Sequence, residues 1–159
     1  MDYKSTSDNP RRSRPVHLPV LDNGTRSIIV FLTVCTKDRA PLLANAAMQG
    51  ILLKSWSAAT HWRVGRYAIM PDHVHLFCAP ARLPAEPLIG WVRYWKRLCT
   101  QEYGSALWQR HFWDTQLRRH ENYAAKWEYV RQNPVRAGLV RHANDWPYQG
   151  ELNTLAWHR

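Results

Sequence analysis

Residues 62–79 read WRVGRYAIMPDHVHLFCA. Two runs rich in apolar residues, Trp62 to Met70 and His73 to Ala79, flank Pro71-Asp72. A break that short between two such runs predicts a β-hairpin. Upstream, Ile28 to Thr36 (IIVFLTVCT) is β-branched and apolar throughout and predicts a buried central strand. Between it and the hairpin, Pro41 precedes a helix predicted over about Leu42 to Thr60, with Leu43, Ala47, Ile51 and Ala58 on one face.

Downstream, Pro84 and Pro87 open a helix that runs to about Tyr103, with Gly104 as its stop. Its apolar stripe is Leu88, Trp91, Val92, Trp95, Leu98 and Cys99, leaving Arg93, Lys96 and Arg97 on a basic outer face. Trp108 to Leu117 reads as a strand and Glu121 to Gln132 as a helix. The order β-α-β-β-α-β-α is the split βαβ, ferredoxin-like α+β plan, an antiparallel sheet with helices on one face. Such a sheet leaves its other face open to a ligand, but the plan alone names no function. The chain divides into a basic arm over residues 1–24, a domain over 25–140 and a tail over 141–159 that packs back on it.

The 159 residues carry 22 Lys and Arg against 12 Asp and Glu, a net charge of +10 with a pI near 10.0. That excess points to a polyanionic partner, because neutralised phosphates release their counterions. Nine tryptophans suit either a core or the stacking of unpaired bases. With hydrophobic residues at 45%, disorder of the whole chain is excluded. No apolar run is long enough to span a membrane, and the polar, Pro-rich N-terminus lacks a secretory h-region. Cys35, Cys78 and Cys99 are odd in number and widely spaced, which fits a reducing cytoplasm better than a disulfide framework.

Side chains alternate along a strand, so His73 and His75 point to one face and form a ready pair of ligands for a divalent ion. His-x-His alone is a weak signal, and the cysteines supply no further ligand at a recognisable spacing. In ENYAAKWEYVRQNPVRAGLV (121–140), Tyr123, Trp127 and Val130 form a core-facing stripe. Tyr129 lies roughly 200° round the helix from Trp127, pointing away from that stripe. Asn133 follows one turn later on the same face. A phenol so placed suits a nucleophile as well as an ordinary surface position. Asn133 suits an N-cap before Pro134 as well as a place beside a metal. His111 and Asp114, polar residues in an aromatic stretch, are candidate neighbours of the site.

The stretches VFLTVCTKDRAPLL (30–43), MPDHVHLF (70–77), WVRYWKRL (91–98) and residues 108–140 resemble, in the same order, the single-tyrosine HUH transposases. They are most similar to the REP-associated tyrosine transposases, and DWPYQG (145–150) is similar too. MPDHVHL followed about 50 residues later by YVxxNPVRAGLV is far more specific than either piece alone. The resemblance implies that His73 and His75 are metal ligands, that Tyr129 is the nucleophile and that Asn133 helps hold the metal. It implies magnesium or manganese as cofactor, and single-stranded or hairpin DNA as partner. The implied reaction is nicking and joining of DNA strands through a 5′-phosphotyrosine intermediate, in transposition or in the processing of REP-type repeats. Arg93, Lys96 and Arg97 would cradle the strand, and Arg118 and Arg119 would extend the track. A monomer or homodimer in the cytoplasm, associated with the nucleoid, is expected. The alternative is a non-catalytic single-stranded nucleic-acid binding module or repressor on the same fold.

Overall fold

The computed structural model describes His17, residues 28–118 and residues 121–156. The N-terminal arm apart from His17, and Arg119, lie outside the described residues. The elements run β1 (Val30–Cys35), α1 (Ala46–Ala58), β2 (Trp62–Ile69), β3 (His73–Pro80), α2 (Leu88–Tyr103), β4 (Trp113–Gln116), α3 (Tyr123–Arg131), α4 (Asn133–Arg136) and β5 (Gln149–Glu151). The strands form one sheet in the order β4-β1-β3-β2-β5, and every pairing is antiparallel. The order β4-β1-β3-β2 is that of the ferredoxin-like plan read from the sequence, and β5 extends it at the β2 edge.

Each helix end has a local cause. Asn45 caps α1, its side-chain oxygen accepting from the Met48 N–H at 2.9 Å. Asn122 caps α3 in the same way, accepting from Ala125 N–H at 3.2 Å. Gly104 closes α2 at φ 91°, a left-handed conformation that costs glycine nothing. The buried stripe of α2 is Leu88, Trp91, Val92, Trp95 and Cys99, with Leu98 only partly covered. In α1 the buried face is Met48, Leu52, Ser55 and Trp56, so the expected face of Ala47, Ile51 and Ala58 is turned out or only half covered. The larger side chains win, because burying Met, Leu and Trp removes far more apolar area from water than burying Ala.

Two cores sandwich the sheet. Val30, Leu32, Val34, Ile69, Val74, Leu76 and Cys78 pack against α1 and α2. On the opposite face, Ile29, Ala68 and Phe77 pack against Tyr123 and Val130 of α3. The expectation of helices on one face therefore holds for α1 and α2 but not for α3. Tyr123, Trp127 and Val130 find their apolar partner on the second face, around Phe77. The Tyr123 hydroxyl accepts the Arg66 N–H at 3.1 Å. A Cβ at Gly65 would meet that hydroxyl at 2.7 Å, so glycine there lets α3 approach the sheet closely. His73 and His75 lie on this second face, both partly buried.

The tail closes the other edge. Ile69 N–H donates to the Tyr148 carbonyl at 2.8 Å, and the buried Trp146 indole donates to the Ile69 carbonyl at 3.0 Å. Cys35, Cys78 and Cys99 are buried and free. No described helix is long and apolar enough to cross a membrane.

Candidate metal and nucleophile site

The register of the sheet settles which residues meet. Thr33 pairs with His75 and Cys35 with His73 across β1 and β3, so the two histidines share the α3 side of the sheet. Their Nε2 atoms lie 3.2 Å apart. Each ring is oriented by its other nitrogen. Asp72 Oδ1 is 2.7 Å from His73 Nδ1, and Thr33 Oγ1 is 2.9 Å from His75 Nδ1. A carboxylate only accepts, so the His73 Nδ1 carries a proton and donates to Asp72, which turns Nε2 toward His75.

The Thr33 hydroxyl can donate or accept, so the Nε2–Nε2 approach is either an N–H···N hydrogen bond between the rings or two lone pairs turned to one ion. Adjacent nitrogens around one ion at ~2.0–2.1 Å stand about 3 Å apart, so the pair fits a divalent ion. Among the described residues no third His, Cys, Asp or Glu joins them. A further protein donor must then be an amide or hydroxyl oxygen, which suits a hard ion.

Burial of His75, with smaller contributions from His73, Arg136 and Arg39, pushes its pKa down to about 3. The ring is neutral, as a ligand must be, through the physiological range. Asp72 is held from its other side by Arg39, whose Nε donates to Oδ2 at 2.8 Å. Burial pulls the Asp72 pKa up, but hydrogen bonds from His73 and Arg39 outweigh it and the carboxyl sits below its usual value. Arg39 reaches Asp72 from a short 3₁₀ turn, Lys37–Arg39, in which Asp38 and Arg39 take φ of 56° and 53°. Consecutive non-glycine residues in that region cost energy and mark a turn shaped for its contacts.

Tyr129 is 68% exposed, on the outer face of α3. Asn133 is the first residue of α4, one turn on, and the N-cap position belongs to Gln132 rather than to Asn133. Arg136 ties Tyr129 and Asn133 together. Its guanidinium lies 4.2 Å from the centre of the Tyr129 ring and donates to the Tyr129 carbonyl at 2.8 Å and to Asn133 Oδ1. The charge of the same guanidinium also contributes, after burial and His73, to the lowering of the His75 pKa.

The basic residues fall elsewhere. Arg93 and Arg97 are exposed on α2, across the sheet from the histidines, and Arg97 stacks on Tyr94 at 5.3 Å. Lys96 folds back, its Nζ donating to the Gln109 carbonyl at 2.6 Å. Burial, then Arg93, lowers its pKa to about 8. It serves as a tie from α2 to the following loop more than as a surface cation. Arg118 is exposed just past β4. Asp114 pairs with buried Leu32, which puts it on the α1 and α2 side, where it bonds His17, so it is no neighbour of the histidines. His111 is exposed. Four contributors escaped the sequence reading: Thr33, Arg39, Asp72 and Arg136. Only Asp72, beside His73, and Arg136, one turn past Asn133, carried a local signal.

The class these features define is a ferredoxin-like domain with a His–hydrophobic–His pair on the sheet face opposite its two crossover helices. Within it, the chain resembles the REP-associated tyrosine transposases. A Haemophilus influenzae protein named "Putative REP-associated tyrosine transposase" is 27% identical over 143 residues, 78% of this chain and 80% of its own length. The REP-associated tyrosine transposase of Escherichia coli K12 is 26% identical over 88 residues, 55% of this chain and 53% of that protein. A REP-associated tyrosine transposase solved bound to a REP hairpin superposes with a TM-score of 0.70 at 21% identity, covering 84% of this chain and 80% of that one. No protein-family profile matches the chain.

Proposed function

We propose that the chain nicks and rejoins single-stranded or hairpin DNA, with Tyr129 as nucleophile and His73, His75 and Asn133 holding a magnesium or manganese ion. The observation that carries this reading is the 3.2 Å approach of two Nε2 atoms whose rings are each fixed by a hydrogen bond at Nδ1. Bound there, a divalent ion would polarise a phosphoryl oxygen and take up developing charge. The names of the two curated relatives and the hairpin in the solved relative support DNA of that form as the substrate.

The residues then divide the work. Tyr129 Oη forms a bond to phosphorus as the bond from phosphorus to the 3′ oxygen breaks. The phenol gives up its proton, the departing 3′ oxygen takes one up, and a 5′-phosphotyrosine and a free 3′-OH remain. Attack by another 3′-OH reverses the step, so rejoining needs no outside energy. Arg136 restricts the Tyr129 ring, and a tethered nucleophile of fixed direction makes the attack a local event. Arg118 and Arg119, with Arg93 and Arg97, supply phosphate contacts, while Lys96 is held to the Gln109 carbonyl.

The test is a covalent adduct. Wild-type protein with end-labelled hairpin DNA and Mn²⁺ or Mg²⁺ gives a protein–DNA band that survives denaturation, and Tyr129→Phe gives none. Binding without any adduct from the wild type would instead make the chain a nucleic-acid binding module.

A further inference from the structure

Across the sheet, one row of paired residues runs Trp113, Thr33, His75. Residues directly opposite one another in an antiparallel ladder share a face. Trp113 therefore lies on the same face as the histidine pair, two strands away, or ~10 Å at the usual spacing between strands. It is 42% exposed, and its indole makes no ring contact or hydrogen bond among the described residues. On the same face, Phe31 is half-buried and stacks on His75 at 5.2 Å. Thr115, the other residue of β4 on this face, is exposed and small. Arg118 is exposed just beyond the strand's end. The row thus offers a flat π-surface on the histidine face, open to solvent, on a chain of net charge +10.

We propose that Trp113 is a stacking platform for an unpaired nucleobase of the DNA strand whose phosphate lies at His73 and His75. An indole left facing water on a sheet gains most from a ligand that is itself flat and apolar-faced, and every base has such a face. The polyphosphate backbone of the same ligand matches the charge of the chain. The inference rests on single-stranded DNA as ligand, and it adds a subsite that reads the presence of a base rather than its identity. Trp113 holds the strand in place and takes no part in the chemistry.

The experiment compares two probes of equal charge, a labelled oligo(dT) strand and an abasic strand of the same length. Binding to the full chain is measured by fluorescence anisotropy with a chelator present, so that cleavage plays no part. Trp113→Ala weakens oligo(dT) binding about tenfold and abasic binding by less than about twofold, and Trp113→Phe restores most of the loss. The salt dependence stays as in the wild type, because no phosphate contact is removed. An equal loss on both probes, or no loss on oligo(dT), overturns the subsite. A chain that passes this test yet forms no adduct through Tyr129 retains the subsite and refutes the nicking activity, so the two failures are distinct.

Discussion

At the scale of single residues, the site depends on hydrogen bonds that aim donors. Asp72 holds the His73 ring with its Nε2 toward His75, and Arg39 holds Asp72. Asp72→Asn keeps the shape but loses the charge and the fixed tautomer. Loss of such an outer partner typically weakens metal binding 10- to 100-fold. A Mn²⁺ titration followed by electron paramagnetic resonance should show at least a tenfold weaker site, with hairpin affinity in chelator unchanged. Equal Mn²⁺ binding by the two proteins would mean that the carboxylate does not orient the ring. Arg136 acts on the other half of the site, through the Tyr129 ring and carbonyl and through Asn133. Arg136→Ala frees the tyrosine to rotate and should slow adduct formation about tenfold, while hairpin affinity changes by less than about threefold. Arg136→Lys should rescue little, since an ammonium offers neither the flat face nor the fork. Full activity in Arg136→Ala would leave the contact incidental.

At the scale of elements, the sequence exposes what is periodic and hides what depends on a distant partner. Alternation along β3 was enough to put His73 and His75 side by side, and the stripe of α2 was readable because Trp91, Trp95 and Cys99 recur at helical spacing. The buried face of α1 was not, since apolar and small residues surround its helix on several sides and only the sheet decides among them. Trp108 to Leu117 reads as one strand, yet β4 is four residues long because residues 109–112 interrupt the ladder with β1, leaving Trp108 as an isolated bridge to Thr36. Nothing local said that α3 would cross to the second face, or that Thr33 would meet His75 from 42 residues away. Lys96 shows the same blindness, since helical spacing made it surface while its tertiary contact makes it a tie. That tie has a pH signature. Its pKa is about 8 in the fold against an ordinary 10.5. Between those values the unfolded chain holds a proton that the folded chain has lost, so this group makes stability rise with pH. The stability difference between wild type and Lys96→Met, from urea unfolding, should therefore shift toward the wild type across that window and stay level below about pH 8. A difference that is flat throughout would show that Lys96 is solvated in the fold.

At the scale of the whole molecule, part of the positive charge lies away from the histidines. The excess of ten positive charges belongs to the whole chain, but Arg93 and Arg97 sit on α2 while the histidines and Trp113 face the other way. A hairpin gripped by both sides would have to pass round an edge of the sheet, and β4 with Arg118 forms the edge on the Trp113 side. Arginines on the far side then contribute attraction without touching the reacting phosphate. For the double variant Arg93→Ala/Arg97→Ala, hairpin affinity should fall and the slope of log affinity against log salt should shrink by up to about two, near one per lost phosphate contact. The rate of adduct formation at saturating DNA should stay within about twofold of wild type. An unchanged salt slope would remove α2 from the DNA path altogether. A saturating rate that falls tenfold would mean that the helix reaches the chemistry after all, which this sheet could permit only if a second subunit brought its α2 to the first one's histidines.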